Sequence, residues 1–139
     1  MAVITYRQAL HDTLRSELLR DPNVFLMGEE IGVFEGSYKI TAGLLPEFGP
    51  ERIRDTPIAE EGFVGAAIGA AMLGLRPVVE IMTINFSILA MDQIVNHAAK
   101  IHTISGLLGR LAAVPSGADA AIRVFLCIPS RMIPERSLA

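Results

Sequence analysis

An α/β layer fold with a parallel sheet flanked by helices is the class predicted for this 139-residue sequence, and three observations predict it. Helix-like and strand-like segments alternate from residue 5 to about 105, with turn residues at most of the changes. The strand-like segments are short continuous apolar runs, the pattern of strands covered on both faces and hence of parallel sheets. Finally, 51% of the residues are hydrophobic and only 19% charged, enough apolar surface to offset the entropy of ordering one domain.

The first helix is predicted over Tyr6 to Arg20. Thr5 and Gln8 have capping-box spacing, Tyr6, Leu10, Leu14 and Leu18 recur every four residues, and Asp21-Pro22 ends the run. Val24-Phe25-Leu26-Met27 reads as a buried strand and Glu29 to Gly32 as the loop after it. Three glycines and two prolines make Gly36 to Pro50 irregular and surface-lying, with room for a short helix around Thr41 to Phe48. A second helix follows from about Glu60 to Leu73, closed by Gly74 at the left-handed cap position. Gly62, Gly65, Ala66, Gly69 and Ala70 lower its helix propensity, so this small-residue face calls for another backbone packed very close to it. Val78 to Met82 is the second buried strand. A third helix is predicted over Phe86 to Ile104, with Phe86, Ala90, Ile94, Ala98 and Ile101 as its apolar stripe. Beyond Leu107 the character changes, and only Ile122 to Ile128 looks like a strand.

Several function classes drop out. Twelve basic against fifteen acidic side chains give a net charge of −3, with lysine only at Lys39 and Lys100, which offers no basic footprint for nucleic acid. The longest uncharged apolar stretch, Gly62 to Leu75, is too short to span a membrane. The start of the chain lacks a basic, apolar leader, and a single cysteine, Cys127, forms no internal disulfide, so a cytoplasmic chain is expected, with Cys127 a buried structural thiol. His97 and His102 are five residues apart and have no ligand-type neighbours, so no metal site is expected. Gly62, Gly65 and Gly69 lack the spacing of a dinucleotide fingerprint, and no phosphate loop occurs.

The informative stretch is Asp55-Thr56-Pro57-Ile58-Ala59-Glu60-Glu61-Gly62-Phe63. It sets two carboxylates where a loop enters a small-residue helix, a position whose backbone dipole and apolar wall both tune acidity. On chemistry alone the pair reads first as favourable charge in a helix's first turn.

Five segments weigh against that plain reading: Phe25 to Glu30, Arg54 to Glu60, Gly65 to Ala71, Gly74-Leu75-Arg76-Pro77, and Met91 to Asn96. In this order, over residues 3 to about 106, the chain resembles the beta subunit of the decarboxylating component of 2-oxo-acid dehydrogenase complexes, most closely the pyruvate dehydrogenase type. The resemblance implies a pyrimidine-binding domain of transketolase type. It implies thiamin diphosphate as cofactor, shared with an alpha subunit that holds the diphosphate and magnesium in an α2β2 heterotetramer. It also implies oxidative decarboxylation of pyruvate, with acetyl transfer to the lipoyl group of an acyltransferase core. Glu60 matches the family's cofactor glutamate, whose carboxyl bonds the pyrimidine ring nitrogen and favours the imino tautomer that removes the thiazolium carbon proton. Met82 and Phe86 match positions lining the pyrimidine pocket, and Glu29 sits where a strand end opens toward a ligand crevice. Glu61 points about a hundred degrees away from Glu60 and reads as a surface or interface charge.

The resemblance stops near Gly106. The expected division is an incomplete pyrimidine-binding domain over 1–106 and a divergent tail over 107–139 with no assignable domain. The family's Gln-His-Ser sequence is absent, since the histidines precede Asp12, Ala98 and Thr103. The expectation is a truncated or frameshifted reading frame, which Gln-His-Ser in another frame of the downstream DNA would show. Two other readings accompany it: a beta subunit acting on branched-chain 2-oxo acids or acetoin, and a non-catalytic remnant that only binds a partner subunit.

Overall fold

The computed structural model describes residues 3–101 and the backbone of residues 123–126. Helix α1 (Tyr6–Arg20) is followed by β1 (Val24–Glu29), α2 (Leu44–Phe48), β2 (Ile53–Thr56), α3 (Glu60–Met72), β3 (Arg76–Ile81) and β4 (Arg123–Leu126). The four strands form one parallel sheet in the order β2-β1-β3-β4. The parallel α/β class read from the sequence is therefore the class observed. The strand expected over 122–128 includes β4, which pairs with Val78 to Ile81, while the rest of the expected tail lies outside the described residues.

Helix α1 begins as its cap spacing requires, with the Gln8 amide donating to Thr5 Oγ1 at 3.1 Å. The box is half formed, because the Gln8 side chain donates to Asp12 Oδ1 instead of reaching back. Alternation along the strands divides the core in two. Leu26 and Val78 face α1 and α2, in a cluster with Leu14, Leu18, Ile31, Ile40, Leu44 and Ile53. Met27, Val79 and Ile81 face α3, against Phe63, Val64, Ala67 and Ile68. Arg52 ties α1 to the sheet: its guanidinium donates to the carbonyls of Leu18 and Asp21, both at 2.9 Å, and to that of Val24.

Three expectations are corrected. Strand β2 falls where only a loop was expected. It is a four-residue edge strand whose charges, Arg54 and Asp55, interrupt any apolar run. The stretch Gly36 to Pro50 is not wholly on the surface, since Ile40, Thr41 and Leu44 are buried and close one end of the core. The single helix expected from Phe86 is instead a 3₁₀ segment, Ile84–Ala90, followed by a π segment, Gln93–Ala98. Isoleucine, asparagine, phenylalanine and serine at 84–88 are weak helix formers, and Ser87 Oγ donates back to the Ile84 carbonyl at 2.6 Å, favouring the tighter turn. On the small-residue face of α3, Gly65 faces the Gln93 side chain, and among the described residues a Cβ at Gly69 would meet nothing within 4 Å.

Candidate active site

The chain leaves β1 toward β2 and leaves β3 toward β4, although β1 and β3 are neighbours. Connections that diverge at the carboxyl ends of adjacent parallel strands open the crevice where α/β sheets hold ligands. Glu29 is the last residue of β1, Thr56 the last of β2, Glu80 the last but one of β3, and Glu60 the first of α3. In the ladders Glu29 stands opposite Thr56, and Gly28 opposite Glu80. The fold thus gathers three carboxylates at one sheet edge.

Carboxylates rarely lose their water, yet Glu29 and Glu60 are each 5% exposed and Glu80 is 9% exposed. Glu29 Oε1, Glu80 Oε2 and Thr56 Oγ1 are buried without a hydrogen-bond partner, and no other side-chain oxygen or nitrogen among the described residues is in that position. Each such group costs about 1–3 kcal/mol, so their concentration at one edge marks it as built to meet hydrogen-bond donors. Burial pushes the Glu80 carboxyl up to about 7, and the Glu29 charge adds to the rise. Glu29 is also raised, first by burial and then by the charges of Glu60 and Glu30.

The backbone around the edge is specialised. A Cβ on Gly28 would come within 2.8 Å of the Glu80 carbonyl oxygen, 2.9 Å of Glu80 Cβ and 3.2 Å of Glu80 Oε2, so only glycine lets the Glu80 side chain lie across β1. Glu30 takes a left-handed φ of 54°, turning the chain sharply out of the sheet just after Glu29. Asp55 pins the emerging loop by accepting from the amides of Gly32 at 2.6 Å and Val33 at 3.0 Å.

Of the residues singled out in the sequence, Glu29 and Glu60 are brought to the same edge. Met82 is half-buried directly after β3, and Phe86 lies in the 3₁₀ segment with 37% of its surface exposed. Glu61 is exposed and stands apart from its neighbour. Glu80 and Thr56 were missed. The signal for Glu80 was available, a single charge inside the otherwise apolar run Val78 to Met82. His11 Nδ1 lies 2.8 Å from the Ile40 carbonyl oxygen, and the exposed His97, in the π segment, has its Nδ1 3.5 Å from Asp92 Oδ2; His102 and Cys127 lie outside the described residues. Among the described residues no group of three or more potential ligands is placed to hold a metal ion, and no helix is long and apolar enough to cross a membrane.

The family model described as "Transketolase, pyrimidine binding domain" matches residues 2–121. The chain is 54% identical over 118 residues to the pyruvate dehydrogenase E1 component subunit beta of Rickettsia bellii, covering 85% of this chain and 36% of that protein. It is 52% identical over 124 residues to the mitochondrial subunit beta-2 of Oryza sativa, covering 86% and 32%. With the mitochondrial subunit beta of Bos taurus the identity is 48% over 122 residues, covering 86% and 34%. The chain spans about a third of the length of these relatives. With a sheet of the expected class, connections that diverge at the carboxyl ends of its central strands and a domain match over most of its length, the chain belongs to the transketolase pyrimidine-binding domain family.

Proposed function

We propose that this chain supplies the pyrimidine side of a thiamin diphosphate site as part of a pyruvate dehydrogenase beta subunit, with Glu60 as the acid that contacts the cofactor. The observation that carries this reading is the burial of Glu60 at the first residue of α3, facing an edge where three further polar oxygens lack partners. The exocyclic amine of an aminopyrimidine donates to such acceptors, and its ring nitrogen accepts from a protonated carboxyl, so the residues present fit the group. When bound, thiamin diphosphate supplies the carbon nucleophile and electron sink for decarboxylation of a 2-oxo acid.

The chain's own residues hold and polarise. Glu60 exchanges a hydrogen bond with the ring nitrogen from a rigid helix start. Glu29 adds negative charge beside it, and Met82 and Phe86 supply apolar contact. The diphosphate and magnesium belong to an alpha subunit, in an α2β2 assembly docked to a lipoyl acyltransferase core. The names of the relatives support pyruvate over branched-chain 2-oxo acids or acetoin as substrate. A bacterial-type cytoplasmic location and a division of the chain at residue 106 are part of the same proposal.

The test is a pair of substitutions in a beta subunit carrying this segment, assembled with its alpha subunit. Glu60→Gln is expected to slow exchange of the thiazolium carbon proton by about a hundred- to ten-thousand-fold, with cofactor affinity less affected. Glu61→Gln should leave exchange within a few-fold of the parent, because its side chain is exposed. Equal effects of the two would overturn the role of Glu60.

A further inference from the structure

A cleft of about 290 Å³ is lined by Arg7, Gln8 and His11 of α1 and by Lys39 and Ala42 of the loop that joins β1 to α2. None of these residues takes part in the reading above. In a chain of net charge −3 this lining holds two cations and a histidine, and no carboxylate. We propose that the cleft binds a small molecule through a phosphate group, with Arg7 and Lys39 as the charges that hold it.

Arg7 and His11 are four residues apart and so share one face of α1. That face is fixed to the loop, because His11 Nδ1 lies 2.8 Å from the Ile40 carbonyl oxygen. A carbonyl only accepts, so Nδ1 carries the hydrogen and Nε2 is the polar atom the ring has left. Lys39 is held from the loop side. Its backbone takes a left-handed φ of 57°, its Nζ sits 3.7 Å from the centre of the Phe34 ring, and it donates to the Phe34 carbonyl. Backbone strain of this kind persists only where the surroundings over-determine it, and an ammonium has three donors, so the anchoring leaves others for a ligand. The neighbouring acids are engaged elsewhere. Asp12, the one carboxylate among residues 6–12, accepts from the Gln8 side chain at 2.7 Å, Glu35 accepts from the Gly43 amide at 3.0 Å, and Glu47 pairs with Arg15 at 2.6 Å. The Arg7 guanidinium has no ion pair among the described residues, and neither has Lys39. Two unneutralised cations on separate elements suit an anion with more than one charge and oxygens on several sides. Phosphate has both, whereas the two coplanar oxygens of a carboxylate are satisfied by a single guanidinium fork. The volume lies at the small end for ligand sites, which suits a phosphate with a short attached group.

The experiment is nitrogen-15 NMR of the full 139-residue chain, with inorganic phosphate titrated in at constant ionic strength and chloride as the matched control. Saturable shifts are expected at Arg7, including its Nε–H, and at Gln8, His11, Lys39 and Ala42, with glycerol phosphate binding at least as tightly as inorganic phosphate. Arg7→Gln should raise the half-saturating concentration about tenfold or more, the equivalent of one charge-assisted hydrogen bond. Arg54→Gln should leave it unchanged, because that guanidinium is held by Glu51 and lines no part of the cleft. Shifts that do not saturate, that chloride reproduces or that spread over the surface overturn the proposal. So does failure of glycerol phosphate to bind, or an Arg54→Gln effect equal to that of Arg7→Gln. Should Arg7→Gln fail to fold, Lys39→Gln is read in the same way, and the shifts of the unsubstituted chain decide by themselves whether the cleft is the site. No residue of the Glu60 reading takes part, so the two stand or fall separately.

Discussion

Glu60 and Glu61 are adjacent and chemically identical, yet one is buried against the sheet edge and the other is exposed, a difference set by the hundred-degree step of the helix. Glu80 shows the opposite case, a carboxylate whose burial only the packed sheet reveals. Its elevated acidity has a stability consequence with a definite sign. In the unfolded chain the carboxyl titrates near its ordinary 4.5, while in the folded chain it is held up to about 7. The folded state therefore binds the proton more tightly, so the contribution to stability is full below about pH 4.5 and is lost as the pH rises through 7. At most, the loss is on the order of 3 kcal/mol, the free-energy equivalent of that difference. Thermal or urea unfolding followed from pH 4.5 to 8 should show this decline, and Glu80→Gln should flatten it. A slope equally steep in the variant would assign the decline to other groups.

At the scale of single elements, glycines of similar appearance in the sequence have different work. Gly28 lies in β1 with the backbone and side chain of Glu80 too close for a Cβ, whereas Gly69 lies on α3 with open space where its Cβ would be. Gly28→Ala should destabilise the chain by about 1–3 kcal/mol through overpacking against atoms that do not yield. Gly69→Ala should stabilise it by roughly 0.5–1 kcal/mol, because alanine is the better helix former and nothing opposes it. Melting temperatures of the two variants check both signs. Helix α1 and the two central strands were legible because periodicity and apolar runs are local properties. Strand β2 was not, because four residues with two charges become a strand only when β1 offers its edge. The 3₁₀ and π segments were hidden for a related reason. The apolar stripe through Phe86, Ala90 and Ile94 is compatible with any helical winding, so periodicity by itself does not choose among them.

For the whole molecule, the edge that gathers Glu29, Thr56, Glu60 and Glu80 presents acceptors and negative charge, with no cation paired to the three carboxylates among the described residues. Such a surface suits one end of a cofactor and repels the other, phosphate-bearing end. Titration calorimetry of thiamin diphosphate into the isolated chain should therefore show weak or no binding, and tight binding without an alpha subunit would contradict the shared site proposed here. The open small-residue face of α3 belongs to the same scale. Among the described residues Gly65 of this face meets the Gln93 side chain and Gly69 meets nothing within 4 Å.

Read by itself, the sequence determined the α/β class, the bounds of α1 and α3, and the strand cores at Val24–Met27 and Val78–Ile81, because each is encoded in neighbouring residues. Only the tertiary structure decided which strands are adjacent, that the connections diverge between β1 and β3, and that Glu80 and Thr56 join Glu29 at one buried edge. The physical reason is that acidity and unmet hydrogen bonds depend on the distance between charges and on the exclusion of water. Residues 29, 56, 60 and 80 acquire both only when the sheet brings them together.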